Sequence, residues 1–378
     1  MTEFDVKGWC PGALRPMRSG DGWVVRVRPR AARLTRAQAL GLCAAAQAHG
    51  AGLIDLTNRA NLQIRGVSDA GLVPLQADLG TLGLLDPDPE SETRRNILIA
   101  PDWRDGDDSA GLWSELAARL HELPALPPKM GFAMDAGPAP VLSQDPADFR
   151  IERGQGGLIL RAEGRVRGMA LEPGHEIDQL IRLCQWFIAT GGAQSGRMAR
   201  HHAPLPDWGT WTATPAPARA RFAPGSAPVG VILGAAFGQI IARELAQVLV
   251  ASSTTALRVT PWRMVILEGV ETPPHDLPEG LIATPDDPAL RVDACAGAPL
   301  CPQASVATRG LARQIAPHVA GRLHVSGCAK GCARAQAADI TLVGRAGGFD
   351  LVLRGRACDP PTQTGLSAAR ILTRFGAS

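Results

Sequence analysis

Two cysteine pairs near the end of the chain, Cys295-Ala-Gly-Ala-Pro-Leu-Cys301 and Cys328-Ala-Lys-Gly-Cys332, determine how the rest of the sequence is interpreted. One predicted helix and one predicted strand separate them. Four of the eight cysteines lie in these pairs, and the other four occur singly, as Cys10, Cys43, Cys184 and Cys358. Four thiolates gathered in this way can ligate a [4Fe–4S] cluster or a structural zinc ion.

The spacing within the pairs favours an iron–sulfur cluster over zinc. Zinc sites commonly use tight C-x2-C pairs, whereas these pairs are C-x5-C and C-x3-C. Gly297 and Gly331 lie between the cysteines, and their small size lets the backbone approach a bulky cluster and direct N–H groups at its sulfurs. Zinc and unrelated structural cysteines are the alternatives. A disulfide framework is not expected in a long chain without a secretory start.

Length and composition are those of an ordinary globular protein. The chain has 378 residues, of which 45% are hydrophobic, and a formal net charge of +3. This length predicts two or more domains. No apolar run approaches the ~18 residues that a membrane-spanning helix needs. The start, Met1-Thr-Glu-Phe-Asp5, is polar and has no apolar export segment, so we expect a cytoplasmic protein that has no membrane partner.

Positive charge is concentrated in the first part of the chain. Residues 1–66 contain ten Lys and Arg residues and four acidic residues. Such a basic segment attracts polyanions, but few aromatic residues and no nucleic-acid motif argue against nucleic acid as the partner. Because arginine forks bind carboxylates through two hydrogen bonds, a small polycarboxylate is the favoured ligand. Some of these arginines are expected only to solvate strand edges.

A strand–helix–strand–strand pattern occurs twice. The first copy has a strand at 22–29, a helix capped by Thr35 that ends near His49, and strands at 53–57 and 61–65. The second copy has a strand at 229–233, a helix at 237–249, and strands at 256–260 and 263–267. Residues 57–67 align without gaps on residues 260–270. The pattern predicts a duplicated αβ half-unit.

The repeat and the composition predict five consecutive parts of the chain. They are a ferredoxin-like half-unit at 1–70, an αβ domain at 71–203, a linker at 204–228 with six prolines, a second half-unit at 229–275, and an αβ domain at 276–378 that carries the paired cysteines.

The two cysteine pairs resemble the cluster-binding pattern of the sulfite and nitrite reductase superfamily. Within it, the segments Gly8–Met17 and Ser19–Trp23 resemble the opening of the precorrin-3B synthases of aerobic cobalamin biosynthesis. The resemblance runs from about residue 6 to the end of the chain. It implies an α+β fold with a pseudo-twofold duplicated architecture, in which two ferredoxin-like half-units accompany two larger αβ domains. It also implies a [4Fe–4S] cluster on Cys295, Cys301, Cys328 and Cys332.

The resemblance implies an activity as well: the O2-dependent hydroxylation of precorrin-3A, with lactone formation, to give precorrin-3B. A mononuclear non-haem iron would accompany the cluster. The chain has no nicotinamide or flavin fingerprint, so electrons are expected from an external NADH-dependent reductase. Two other functions stay open, a sirohaem-dependent nitrite or sulfite reductase and a non-catalytic Fe–S or zinc protein.

Three basic residues match the substrate pocket of the superfamily and are the predicted catalytic residues: Arg59, Arg95 and Lys129. Arg59 lies in a predicted turn between two strands, and Asn96 directly after Arg95 is a possible hydrogen-bonding partner. Gly131 stands where the reductases have the second lysine of a Lys-x-Lys motif, which argues against sulfite as the substrate.

Cys10 and the pair His201-His202 have two interpretations each. Cys10, in Trp9-Cys-Pro-Gly12, is either a reactive thiol or iron ligand, or a buried structural cysteine. One of the two histidines could ligate a mononuclear iron, but surface placement is the alternative.

Overall fold

The computed structural model describes residues 10–377, whose strands form four sheets. Gly8 and Trp9 of the opening motif lie outside the described residues. The helices are α1 Arg36–His49, α2 Asp69–Thr81, α3 Pro89–Arg94, α4 Asp108–Ala118, α5 Glu176–Ala189, α6 Gly192–Ser195, α7 Ala242–Ala251, α8 Arg309–Ile315 and α9 Ala368–Phe375. The strands are β1 Met17–Ser19, β2 Gly22–Val27, β3 Arg33–Thr35, β4 Leu53–Leu56, β5 Leu62–Val67, β6 Ile97–Ile99, β7 Phe132–Asp135, β8 Phe149–Gly154, β9 Gly157–Ala162, β10 Met169–Ala170, β11 Gly225–Ala227, β12 Gly230–Ala235, β13 Gln239–Ile241, β14 Ala256–Val259, β15 Met264–Glu268, β16 Leu281–Ile282, β17 Val292–Ala294, β18 Leu323–Ser326, β19 Ala338–Arg345, β20 Gly348–Gly355 and β21 Gln363–Leu366.

The two half-units exchange one strand each. The first sheet has the order β1-β2-β5-β4-β13, and the second has the order β11-β12-β15-β14-β3, with β16 beside β12. Strand β13 comes from the second half of the chain and pairs with β4, whereas β3 comes from the first half and pairs with β14. Helices α1 and α7, which follow the exchanged strands, pack against each other. Each half-unit therefore completes the sheet of the other.

The predicted repeat is confirmed down to individual turns. Ala60 and Arg263 lie between matching pairs of strands and have φ angles of 53° and 60°. Gly66 and Gly269 follow at matching positions with φ angles of 65° and 80°. Side chains rarely adopt this left-handed region, so its recurrence at Ala60 and Arg263 shows that the two segments follow the same backbone path.

The predicted start of the second helix at Phe237 is wrong. Phe237 lies in a short 3-10 turn with a φ angle of 59°, and α7 begins only at Ala242, after β13. Residues 239–241 form a strand instead of a helical turn because β13 pairs with β4 from the other half of the chain. A local sequence pattern cannot predict such a distant pairing. In contrast, α1 begins where predicted, since Thr35 and Gln38 cap each other's backbone N–H groups.

Each half-unit is followed by an outer sheet of the same plan. The orders are β10-β9-β8-β7-β6 and β17-β18-β19-β20-β21. In both sheets the first three strands in the chain are parallel and the next is antiparallel. The largest hydrophobic core joins both half-unit sheets to the first outer sheet, whereas the last sheet has its own core beneath α8 and α9.

The proline-rich segment 204–228 is extended and runs along the first outer sheet. Isolated bridges join Gly154 to Pro215 and Gly168 to Ala213. Its last residues form β11, which the sequence pattern did not predict. Among residues 10–377, no helix combines the length and the apolar character needed to cross a membrane.

The exchanged strand β3 carries a pH-dependent ion pair. Glu268 on β15 accepts hydrogen bonds from Arg33 on β3, at 2.8 Å to each oxygen, and from Arg258 on β14, at 2.7 Å. These bonds, of which that from Arg33 is the largest cause, lower the pKa of Glu268 from 4.5 to about 2. The carboxylate therefore stabilises the fold fully above about pH 4.5, and this contribution is lost as the pH falls towards 2.

We expect Glu268→Gln to lower the free energy of unfolding at pH 7 by about 1–3 kcal/mol, because charged hydrogen bonds across the exchange are weakened. The difference from the unmodified protein should shrink between pH 4.5 and pH 2. Urea denaturation at several pH values measures it. The exposed Glu271, three residues further on, is the control; an equal loss in Glu271→Gln would contradict the assignment.

Candidate active site

Both cysteine pairs begin at one edge of the last sheet. Strands β17 and β18 are parallel neighbours in which Ala294 lies opposite Val325. Cys295 directly follows β17, and Cys328 follows β18 after one glycine. Because parallel strands end at the same edge of a sheet, the two pairs start side by side. We call residues 292–332, which contain both pairs, the cysteine module.

Backbone contacts join the two cysteine loops. The Gly327 N–H donates to Cys295 Sγ at 3.1 Å, and the Ser305 N–H donates to the Gly327 carbonyl oxygen at 3.0 Å. A Cβ atom on Gly327 would lie 2.5 Å from the Cβ atom of Ala304. Only glycine allows this approach, and an N–H group directed at a sulfur is the contact that stabilises thiolate ligands.

Two further glycines adopt left-handed backbone conformations in the cysteine loops. Gly297 and Gly331 have φ angles of 68° and 63°, which side chains rarely adopt. A Cβ atom on Gly297 would lie 2.6 Å from Thr308 Oγ1, so the first loop is closely packed against the turn that precedes α8. Glycine therefore permits the backbone path of both cysteine loops.

Two of the thiols of the module, Cys328 and Cys332, have raised pKa values. Burial is the largest cause that raises the pKa of Cys328 and of Cys332, and the neighbouring cysteines add to it because like charges repel. Lys330 acts in the opposite direction and lowers the pKa of both thiols. As the side chains stand, no three His, Cys, Asp or Glu residues within 10–377 form a group that could hold a metal ion.

Two of the single cysteines lie in the interior. Burial raises the pKa of Cys43 to about 12 and raises that of Cys184 as well. Both side chains lie on the core faces of their helices. They are structural residues with no part in the site.

The cysteine module lies against the first half-unit. Arg309, at the start of α8, places Nη2 3.7 Å from Asp55 Oδ1 on β4. Burial lowers the pKa of Arg309, whereas Asp55 and Cys295 raise it. A Cβ atom on Gly20, in the turn between β1 and β2, would lie 2.7 Å from Pro302 Cδ. The module therefore covers one face of the first sheet.

The covered face carries a polar row of side chains from four strands. Alternate residues of these strands, such as Val25, Ile54 and Ile64, point into the core. The row on the opposite face consists of Arg26, Asp55, Gln63, Arg65 and Gln239. Its members are hydrogen-bonded, with Arg26 donating to Gln63 at 2.7 Å and Gln239 donating to Asp55 at 2.8 Å. The row leads from Arg309 and Cys295 towards a group of arginines.

Three arginines form this group, the basic cluster of Arg26, Arg59 and Arg197. Burial is the main cause that lowers the pKa of Arg59, and the charge of Arg197 lowers it further. Burial likewise lowers the pKa of Arg26, which Cys10 partly offsets through its charge and a hydrogen bond. Cys10 thus belongs to the cluster. Sequence analysis missed Arg26 and Arg197; the alternation of β2 and the placement of Gln63 opposite Arg26 could have indicated the former.

The segment from Lys129 to Gly131 contacts Arg59 of the basic cluster, Lys129 through its backbone carbonyl, and Asn96 lies beside this segment. Arg59 Nη2 donates to the Lys129 carbonyl oxygen at 2.7 Å, and Asn96 Nδ2 donates to the Met130 carbonyl oxygen at 2.6 Å. A Cβ atom on Gly131 would lie 2.8 Å from Asn96 Nδ2 and 3.0 Å from Arg59 Nη1. Glycine at this position is what lets Arg59 reach the Lys129 segment.

Arg95 does not join its predicted partners. Its side chain is 6% exposed and forms two hydrogen bonds of 2.7 Å with Asp86, and a third with the Arg28 carbonyl oxygen. Asp86, nine residues earlier, binds Nε and Nη2 of the guanidinium group, and the catalytic role expected of Arg95 stays a prediction. Arg95 instead borders a separate cavity of about 540 Å³, which it shares with Arg28 and Trp103.

The two candidate histidines have different surroundings. His201 is buried, with Nε2 2.8 Å from Thr190 Oγ1 and Nδ1 3.1 Å from Ser195 Oγ. Both ring nitrogens are therefore engaged in holding a loop together. His202 is exposed, as the alternative interpretation expected.

The second half-unit has no equivalent of Arg59. Trp262 occupies the matching turn position, and its indole N–H donates to Asp145 at 3.0 Å. Phe222 packs edge-on against the indole ring. An aromatic side chain therefore stands where the first half-unit has a cation. The two half-units have the same backbone conformation here, but only the first has the arginine.

The contacts of Gly131 lead to a stability prediction. We expect Gly131→Ala to lower the free energy of unfolding by about 1–3 kcal/mol, because the new methyl group displaces Arg59 and Asn96. Gly137, two residues after the end of β7, is the control, because a Cβ atom added there would have no other atom within 4 Å. Denaturant titration compares Gly131→Ala with Gly137→Ala, and equal midpoints would show that Gly131 is not closely packed.

Comparisons with known proteins agree with this geometry. Residues 15–82, from β1 to α2, match the nitrite/sulfite reductase ferredoxin-like half domain. A precorrin-3B synthase from Sinorhizobium is 29% identical over 424 residues, which cover 98% of this chain and 88% of the relative. The NirA protein of Mycobacterium tuberculosis has a similar fold, with a TM-score of 0.59 and 17% identity over 92% of this chain and 78% of NirA. The predicted sulfite/nitrite reductase-like fold is confirmed, and the chain is similar to a precorrin-3B synthase over nearly its whole length.

Proposed function

We propose that the protein is a precorrin-3B synthase, an oxidoreductase that uses O2 to hydroxylate precorrin-3A and form the lactone of precorrin-3B. The observation that carries the proposal is the placement of the cysteine module over a polar row that ends in the basic cluster. The similarity to a precorrin-3B synthase over nearly the whole chain supports it.

The cysteine module fits a [4Fe–4S] cluster by the chemistry of its donors. Cys295, Cys301, Cys328 and Cys332 are soft ligands from two adjoining loops, and the Gly327 N–H already points at one sulfur. When bound, such a cluster supplies single electrons. We propose that an external NADH-dependent reductase is their source.

The basic cluster and Arg309 suit a macrocycle with several carboxylates. Burial lowers the pKa values of Arg26, Arg59 and Arg309, so these cations have lost part of their hydration. A carboxylate that bonds to a guanidinium fork offsets that loss. We propose that the substrate lies along the polar row, with carboxylates bound at its two ends, and that partly buried Lys129 adds positive charge at one end.

A mononuclear iron, also expected from the resemblance, is not fitted by the side chains as they stand. No group of His, Cys, Asp or Glu within 10–377, the four paired cysteines included, stands arranged to hold a metal ion, so this finding does not separate the iron from the cluster. His201 has both ring nitrogens engaged by hydroxyl groups, so it offers no free donor to such an iron.

Gly131 distinguishes the proposal from sulfite or nitrite reduction. A lysine at this position would bring its Cβ atom within 3.0 Å of Arg59 and Asn96. A lysine here would require the flexible ends of Asn96 and Arg59 to shift, and with Gly131 the chain lacks the second cation of the Lys-x-Lys pair expected of the reductases. This supports an acidic macrocycle rather than a small oxyanion as the substrate.

The proposal is tested by anaerobic purification, iron and sulfide analysis, and incubation with precorrin-3A, reductant and ¹⁸O2. We expect about four iron and four sulfide per chain, as one [4Fe–4S] cluster requires, and one labelled oxygen atom in the product hydroxyl group. Protein that carries sirohaem absorption bands and reduces nitrite or sulfite would contradict the proposal.

Cys332→Ser should lose iron, sulfide and product formation while it keeps the circular dichroism spectrum of the unmodified protein. Cys358→Ser is the matched control, because Cys358 is also exposed and lies in the same domain outside the pairs. Retention of the full sulfide content in Cys332→Ser would remove that cysteine from the ligand set.

A further inference from the structure

We infer that Arg197 is a further substrate-binding residue, which binds a carboxylate of the acidic macrocycle together with Arg59. The inference rests on the proposed function and adds a residue to it. Arg197 lies in the loop 191–201, which drew attention in the sequence only for its histidines.

A buried carboxylate fixes the near end of the Arg197 side chain. Asp148 is 0% exposed, and its Oδ1 accepts from Arg197 Nε and from the Met198 N–H, both at 2.9 Å. Its Oδ2 accepts from the Gly131 N–H at 3.0 Å. One carboxylate thus ties the loop of Arg197 to the segment that contacts Arg59.

The far end of the side chain is available for a ligand. Arg197 Nη1 and Nη2 bond to no group among residues 10–377, and the side chain is 30% exposed. These two nitrogens form the end-on edge of the guanidinium group, which can bind both oxygens of a carboxylate. Asp148 bonds only to Nε. The ion pair therefore orients the guanidinium group and leaves Nη1 and Nη2 for a ligand.

Arg197 and Arg59 form a pair of like charges that shares one carboxylate, Asp148. After burial, the charge of Arg197 is the largest influence that lowers the pKa of Arg59, and Asp148 offsets only part of it. Two neighbouring cations in a partly buried place repel each other. A carboxylate between them would relieve this repulsion, and precorrin-3A carries several.

The loop around Arg197 is held in one shape. Gly191 and Gly196 adopt φ angles of 91° and 70°, which allow the tight turns on either side of α6. His201 then fastens the loop through Thr190 and Ser195. These contacts give the buried histidine a positioning role, since they fix the backbone that presents Arg197.

The test is a fluorescence titration of the purified protein with uroporphyrin I, a stable macrocycle with acetate and propionate groups. Arg197→Ala should bind it roughly tenfold or more weakly, as expected for the loss of a charged hydrogen-bonded contact. Arg197→Lys keeps a cation beside Asp148 but lacks the fork, so it should also bind several-fold more weakly. Arg200→Ala, an exposed arginine of the same loop, should bind like the unmodified protein.

Cluster content and thermal stability are measured alongside, because a purely structural role would change them and leave the affinity of the folded protein unaltered. Equal affinity of the unmodified protein and both Arg197 variants would overturn this inference and leave the proposed function standing. Failure of the unmodified protein to bind uroporphyrin I would contradict the proposed function itself, and the inference with it.

Discussion

The reciprocal exchange of β3 and β13 is the constraint on which the site depends. Each half-unit sheet ends in a strand from the other half of the chain, so neither sheet is complete alone. The exchange also brings Gln239 of the second half into the polar row of the first sheet, where it bonds to Asp55. The cysteine module, which follows the second half-unit, is thereby placed over a surface built largely by the first.

Buried positive charge is the second organising feature. Removing a cation from water is unfavourable unless an anion or hydrogen-bond acceptors compensate. Arg33, Arg65 and Arg95 have such compensation from Glu268, Asp21 and Asp86. Arg59 bonds to the Lys129 carbonyl oxygen rather than to a carboxylate, and Asp148 accepts from Arg197 only at Nε. These cations therefore have less compensation, and they lie at one end of the polar row, where an acidic ligand would add negative charge.

The features that the sequence predicted are those that depend on local patterns. Cysteine spacing singled out the two loops, and the gap-free alignment of residues 57–67 with 260–270 predicted a repeated unit, which the shared φ angles at Ala60 and Arg263 confirm. The features it missed depend on distant contacts. Asp86 forms an ion pair with Arg95, Asp148 forms one with Arg197, and β13 pairs with β4. None of these contacts produces a periodic pattern in the sequence.

The proposed contact between a cluster and the macrocycle is tested most directly by electron paramagnetic resonance of the reduced, cluster-loaded protein, with and without saturating uroporphyrin I. A ligand along the polar row would lie beside Cys295 and Arg309 and change the electrostatic surroundings of the cluster. We predict that the g values of the cluster shift when the macrocycle binds. Identical spectra at saturation would contradict the placement of the substrate between the cysteine module and the basic cluster.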